Sequence, residues 1–216
     1  MTQMLPTNDT RNMASSPAVA AGDTEFINYA RACESALNDK GRVEWCIAAL
    51  TRELLQTWRM PDDRFMQLQP DAPYASYLLY LSKNSDLSIV LDIFMEGQAA
   101  VVHNHLCWCV LGCIEGIEHE HMLKAPEDLS AAPESVDSRM RHPGDVATAG
   151  AGAGEFHEVK CINSPYAVSL HIYGADIGRI ERCKWDDHSA CYVSFRSGYS
   201  NESLDLPSYL TPKDLI

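Results

Sequence analysis

After Pro73 the apolar residues stop recurring every third or fourth position and fall into short β-prone runs closed by glycine and proline. The stretches 87–95, 99–114, 168–173 and 190–195 are runs of this kind. Many short strands separated by turns close into a barrel or jelly roll. Upstream the spacing is helical. Phe26, Tyr29, Ala30, Cys33 and Leu37 form one stripe, and Val43, Cys46, Ile47, Leu50, Leu54 and Trp58 a second. Lys40-Gly41 separates the two helices, and Pro61 stops the second. The pattern therefore predicts a mainly β fold, a jelly-roll barrel with an N-terminal helical layer. Residues 1–23 form a disordered lead-in, 24–60 the helices packed on the barrel, and 61–216 the barrel itself. A long loop, rich in Pro, Ser, Ala and Asp, is expected at 124–142. Neither an internal repeat nor a heptad pattern is present.

Composition narrows the partners. With 216 residues, 46% of them apolar, the chain can bury one sizeable core. A net charge of −13 argues against nucleic acid or an anionic membrane surface. No apolar run reaches the roughly 18–20 residues of a membrane span. The first residues are polar, small and proline-containing, without the apolar core of a signal peptide. Eight cysteines occur, none in a C-x-x-C pair, which fits free thiols in a reducing cytoplasm better than a disulfide framework.

Within the run 99–114 stands His103-Asn104-His105. Residues two apart on a strand point to the same side, so two imidazoles aim at one spot. That is half or more of a metal site, and His157 offers a third nitrogen. By the same alternation Cys107 and Cys109 share the histidine face. Downstream, Ser169, His171 and Tyr173 lie on one side of another strand. Such a row can fix an imidazole tautomer and hold a phenol hydroxyl near a reacting oxygen. Its plainer reading is a set of polar core residues satisfying one another. His119-Glu120-His121 repeats the spacing beside a polar loop and reads as solvent-exposed. His142 and His188 lie in loop-like contexts. Zinc binding by the His-x-His-x-Cys-x-Cys segment is discounted, because four donors on one straight strand cannot wrap a tetrahedral ion. The Gly-Ala-Gly-Ala-Gly stretch at 150–154 lacks the Gly-Lys-Ser/Thr of a phosphate loop and reads as slack beside the site mouth.

Gly97, His103-Asn104-His105 and Gly116 resemble the first motif of the cupin superfamily, the double-stranded β-helix barrels. That motif commonly carries a Glu ligand three or four residues after the histidines. Here Leu106-Cys107-Trp108-Cys109-Val110 supplies no carboxylate. Three neutral imidazoles leave a metal's charge uncompensated and favour an anionic ligand such as a thiolate. Three-histidine cupins include the thiol dioxygenases, and further segments resemble that family, most closely its bacterial 3-mercaptopropionate branch. They are Phe156-His157-Glu158-Val159, the row from Ala167 to Gly174 carrying Ser169, His171 and Tyr173, and Phe195-Arg196-Ser197-Gly198-Tyr199-Ser200-Asn201. The resemblance runs in order from Pro73 to Asn201. It implies Fe(II) on His103, His105 and His157, an outer Ser169–His171–Tyr173 relay, and oxidation of a small thiol carboxylate to a sulfinate by O2. The implied substrate is 3-mercaptopropionate first, with cysteine or mercaptosuccinate behind it.

Two departures bear on the substrate. Ser76, in Tyr74-Ala75-Ser76-Tyr77-Leu78, stands where the family carries Arg or Gln, and a hydroxyl cannot clamp a carboxylate bidentately. Arg182 is the candidate to hold the carboxylate instead, with Arg179 as a possible helper and a surface ion pair beside Glu181 as the alternative. Cys109 stands where animal-type members form a thioether with the relay tyrosine, which makes Cys109–Tyr173 a candidate crosslink. Competing functions are a specialised biosynthetic oxygenase of modified substrate, a non-oxidative metal-dependent lyase or isomerase, and a small-molecule-binding module. The oligomeric state is not encoded in any pattern found.

Overall fold

The computed structural model describes residues 24–58, 65, 72–126 and 128–202. The expected lead-in at 1–23, Met60 and Pro61 lie outside them. Two helices open the chain, α1 (Thr24–Ala36) and α2 (Val43–Thr57). Eleven strands follow: β1 (Ala75–Leu81), β2 (Ser88–Met95), β3 (Ala99–His103), β4 (Cys109–Glu115), β5 (Glu118–Lys124), β6 (Glu134–Arg141), β7 (Val146–Ala149), β8 (Glu155–Cys161), β9 (Tyr166–Tyr173), β10 (Arg182–Asp186) and β11 (Cys191–Phe195). They pair antiparallel into a five-stranded sheet, β1-β2-β9-β4-β7, and a six-stranded sheet, β11-β10-β3-β8-β5-β6. The two sheets face each other as a jelly-roll barrel.

Alternation assigns the faces of the five-stranded sheet. Ile89, Leu91, Ile93, Val110, Ile114, Val168, Leu170 and Ile172 form its outer face and pack with Phe26, Ile47 and Leu54 of the helices. Each such side chain contributes about 1.5–3 kcal/mol on full burial. The layer sits close because β4 offers Gly112 beneath it. A Cβ there would lie 2.8 Å from Thr51 Cγ2 and 2.9 Å from Leu55 Cδ1. The inner face carries polar groups instead. Cross-strand register aligns Ser76, Asp92, Ser169 and Cys113 in one row, and pairs Cys109 with Tyr173 in another. Alternation along β9 is why one strand supplies both the outer core and an inward Ser-His-Tyr row.

Two expectations change. The run 99–114 is two strands, because the chain leaves one sheet at His103 and enters the other at Cys109. Leu106, with φ at +58°, turns that corner, so His105, Cys107 and Cys109 do not alternate along one straight strand with His103. The stretch 124–142 is not one loop: β6 occupies Glu134–Arg141 and pairs along β5. Its residues are nearly all exposed and polar, which hides a strand from a reading based on apolar alternation. The tail motif has a fold role as well. Ser200 Oγ accepts from the Ser76 amide at 2.9 Å, and Asn201 bonds both the amide and the carbonyl of Leu78, closing the free edge of β1.

Candidate metal centre

His103 ends β3 and lies directly across from His157 of β8. His105 follows in the corner, where Asn104 anchors the backbone. The Asn104 amide donates to the Cys183 carbonyl at 3.1 Å, and its side-chain Oδ1 accepts from the Cys183 amide at 2.9 Å. The three imidazoles are buried and their donor nitrogens converge within 4.8 Å of one another. His105 Nε2 lies 3.2 Å from His103 Nε2 and 3.0 Å from His157 Nε2. For nitrogen ligands about 2.1 Å from a metal, neighbouring positions a right angle apart put the nitrogens about 3.0 Å from each other. Two of the three edges match neighbouring ligands on a coordination sphere, and the third closes within 4.8 Å. Among the described residues no cysteine joins this group.

The outer nitrogens fix the tautomers. His103 Nδ1 lies 2.6 Å from the Val101 carbonyl oxygen, and His157 Nδ1 lies 3.2 Å from Glu120 Oε1. Each acceptor holds the Nδ1–H form and leaves the Nε2 lone pair facing its neighbours, the arrangement a cation requires. Burial, then the neighbouring imidazoles, pushes His103 and His105 well below the ordinary histidine value, so both are neutral ligands. Glu120 stays charged. Burial raises its pKa, but the hydrogen bond from His157 and the Arg141 guanidinium, 2.5 Å away, outweigh that and bring it to about 2.

Opposite the histidines stands the β9 row. Ser169 Oγ lies 2.9 Å from His171 Nε2, and Tyr173 Oη lies 3.1 Å from His171 Nδ1. The Tyr173 ring meets the His105 ring edge-on at 5.1 Å between centroids, so the phenol packs directly against one of the three imidazoles. Burial, with His157 nearby, lowers His171 to about 3. A neutral imidazole between two hydroxyls donates from one nitrogen and accepts at the other, coupling Ser169 to Tyr173. Cys109 is buried and paired in register with Tyr173.

A small cavity of about 20 Å³ lies between the histidines and this row, lined by Ser76, Asp92, His103, His157, His171 and Arg182, among others. It adjoins a cleft of about 420 Å³ through Tyr74, Ser76, Ala100, His103 and Ser197. Arg182 is turned inward and buried, over the Phe195 ring at 4.7 Å, whereas Glu181 pairs with Arg196 at the surface. Arg179 lies on the surface against Glu202 and away from the cavity. On β5 the acids Glu118 and Glu120 face inward, His119 and His121 lie half-buried on the opposite face, and His121 meets Ser135. All eight cysteines are free thiols.

Sequence reasoning missed Asp92 and Glu120. Asp92 is the one charged residue inside the apolar run 87–95, and a lone carboxylate there is itself a signal of an inward polar site. Glu120 shares the phase of Glu118 on β5, but attention to the flanking histidines hid it.

No protein-family model matches the chain. Solved structures with a similar fold include peruvianin-I, a cysteine peptidase from Thevetia peruviana latex, at 14% identity and a TM-score of 0.35, covering 42% of this chain and 52% of that one. This chain thus spans about half the length of peruvianin-I. A double-stranded β-helix protein of Klebsiella pneumoniae is similar at 14% identity and a TM-score of 0.40, over 51% of this chain and 79% of its own. An RmlC-like cupin of Methanocaldococcus jannaschii is similar at 13% identity and a TM-score of 0.37, over 51% and 88%. No described helix is long and apolar enough to cross a membrane. The fold is a mainly β barrel of two facing sheets, holding a three-histidine group able to bind a metal.

Proposed function

We propose that the protein is an Fe(II)-dependent thiol dioxygenase that oxidises a small thiol carboxylate to the sulfinate. The observation that carries this reading is the pairing of a three-imidazole cluster, with no carboxylate among its donors, with a Ser169–His171–Tyr173 row facing it across one cavity. A metal bound by His103, His105 and His157 would supply a Lewis-acidic, redox-active centre for the thiolate and O2. Its uncompensated charge suits an anionic sulfur. Arg182, the cavity's buried guanidinium, would hold the carboxylate, with Ser76 beside it. Tyr173 would keep its proton, since burial and then Cys109 push the phenol well above its ordinary value. It can therefore donate a hydrogen bond toward the reacting oxygen, with His171 and Ser169 fixing its direction. In the net reaction a thiolate and one O2 give a sulfinate: two S–O bonds form, the O–O bond breaks, and sulfur loses the four electrons that O2 gains.

Cys109 and Tyr173 stand ready for a thioether. One S–C bond would form as S–H and ring C–H break, with O2 as oxidant taking two electrons and two protons. An intact mass lower by two hydrogens after aerobic turnover supports the crosslink, and an unmodified pair sinks it.

The decisive experiment is metal analysis followed by O2 uptake with 3-mercaptopropionate, cysteine and mercaptosuccinate. Iron, consumption of one O2 per thiol and a sulfinate product are expected. Iron-loaded protein that consumes no O2 with any of them overturns the reading and leaves a lyase, an isomerase or a binding module. His157→Ala should abolish iron binding.

A further inference from the structure

Two buried groups of opposite charge share the cavity and neither has a partner of opposite charge in direct contact that would neutralise it fully. Among the described residues Arg182 bonds only neutral groups, Nη1 to the Asn104 carbonyl at 3.4 Å and Nη2 to Ser197 Oγ at 2.9 Å, while its Nε has no acceptor there. Asp92 Oδ2 lies 3.5 Å from His171 Nε2, whose nearer partner is Ser169. Asp92 Oδ1 has no hydrogen-bond partner among the described residues. The arginine and the aspartate form no ion pair with each other. Burying a charge without a counter-charge is costly, as is leaving a buried donor or acceptor unmade. Here one orphan donor and one orphan acceptor line the same cavity as two of the metal ligands. Burial in turn pushes the Asp92 carboxyl up to about 7, a state that a nearby cation would reverse.

We propose that the cavity, together with the cleft it opens into, is a receptor for a zwitterion, with Asp92 the residue that reads the substrate's ammonium group while Arg182 takes the carboxylate. A molecule with both groups supplies Arg182 Nε with an acceptor and Asp92 Oδ1 with a donor, and brings no net charge into the barrel. A desamino acid satisfies only the arginine and leaves Asp92 unmatched. An amine without a carboxylate does the reverse. Asp92 is on this view the specificity-determining residue, selecting 2-amino thiol acids over their desamino counterparts. The inference rests on the thiol-acid reading of the site, and it narrows that reading.

Binding to the full chain by calorimetry tests it without oxidation, using L-serine, 3-hydroxypropionate and ethanolamine as redox-inert probes. L-Serine should bind at least tenfold more tightly than either half-molecule. Equal binding of L-serine and 3-hydroxypropionate, or no binding of L-serine, overturns the proposal on the unaltered protein. Asp92→Asn should then cut the preference for L-serine over 3-hydroxypropionate at least tenfold. With iron-loaded protein the same variant should lower the cysteine-to-3-mercaptopropionate ratio in kcat/KM by a similar factor, through KM for cysteine. An unchanged ratio in folded, iron-bearing variant counts against Asp92. Preferential L-serine binding with no O2 uptake for any thiol would retain the zwitterion receptor and discard the dioxygenase. O2 uptake indifferent to the amino group would do the opposite.

Discussion

Glu120 shows how much of the candidate centre depends on a residue that touches no ligand lone pair. It accepts from His157 Nδ1 and is held in turn by Arg141. Such outer partners typically account for about 10- to 100-fold in metal affinity. Glu120→Ala should therefore weaken metal binding by about that factor in a competitive chelator titration, with the fold retained. Tyr173→Phe separates binding from turnover. It removes the hydroxyl next to His171 and leaves all three ligands, so metal content should hold while kcat for O2 uptake falls by about 10²-fold or more. The row Ser169, His171 and Tyr173 was legible because strand alternation is a short-range rule, whereas His103 and His105 were legible from their motif, since His105 lies in the corner beyond β3. Asp92 and Glu120 were not, because their importance depends on which strands become neighbours across the barrel.

At the scale of elements, the corner between β3 and β4 is the main revision to the pattern. Apolar periodicity runs unbroken through 99–114, and nothing in it marks the change of sheet; only the packing of the two sheets requires the left-handed turn at Leu106. The edge strand β6 escaped for the opposite reason, since a strand with no buried face has no apolar signature. The helical layer, by contrast, was plain from its stripes, and its seat on β4 depends on Gly112. Gly112→Val should force Thr51 and Leu55 outward at a cost of about 1–3 kcal/mol. A melting temperature lowered by several degrees, with metal content unaltered, is the expected result.

For the whole molecule, the barrel interior buries carboxyl groups that burial makes weaker acids, Asp92 and Glu118. Glu118 is fully buried, and burial is the main cause that lifts its carboxyl from 4.5 to about 7; Asp92 and Glu120 add to the rise, while Ser169 and Arg141 oppose it. Folding thus favours the protonated form. Its contribution is complete below about pH 4.5 and is lost as pH climbs through 7. Glu118→Gln should accordingly melt higher than the parent at pH 8, with the gap closing toward pH 5. A gap that does not depend on pH would assign the effect to packing.

The placement of the three histidines has one more consequence. His103 and His157 belong to one sheet, while His105 rides on the segment crossing to the other, whose Leu106 is exposed. A bound ion would act as a rivet at the seam, adding about 4 kcal/mol at a thousandfold excess over its Kd. Chelation should then expose residues 104–108 to limited proteolysis before any other part of the barrel. The lifetime of the chain would report whether it carries its metal.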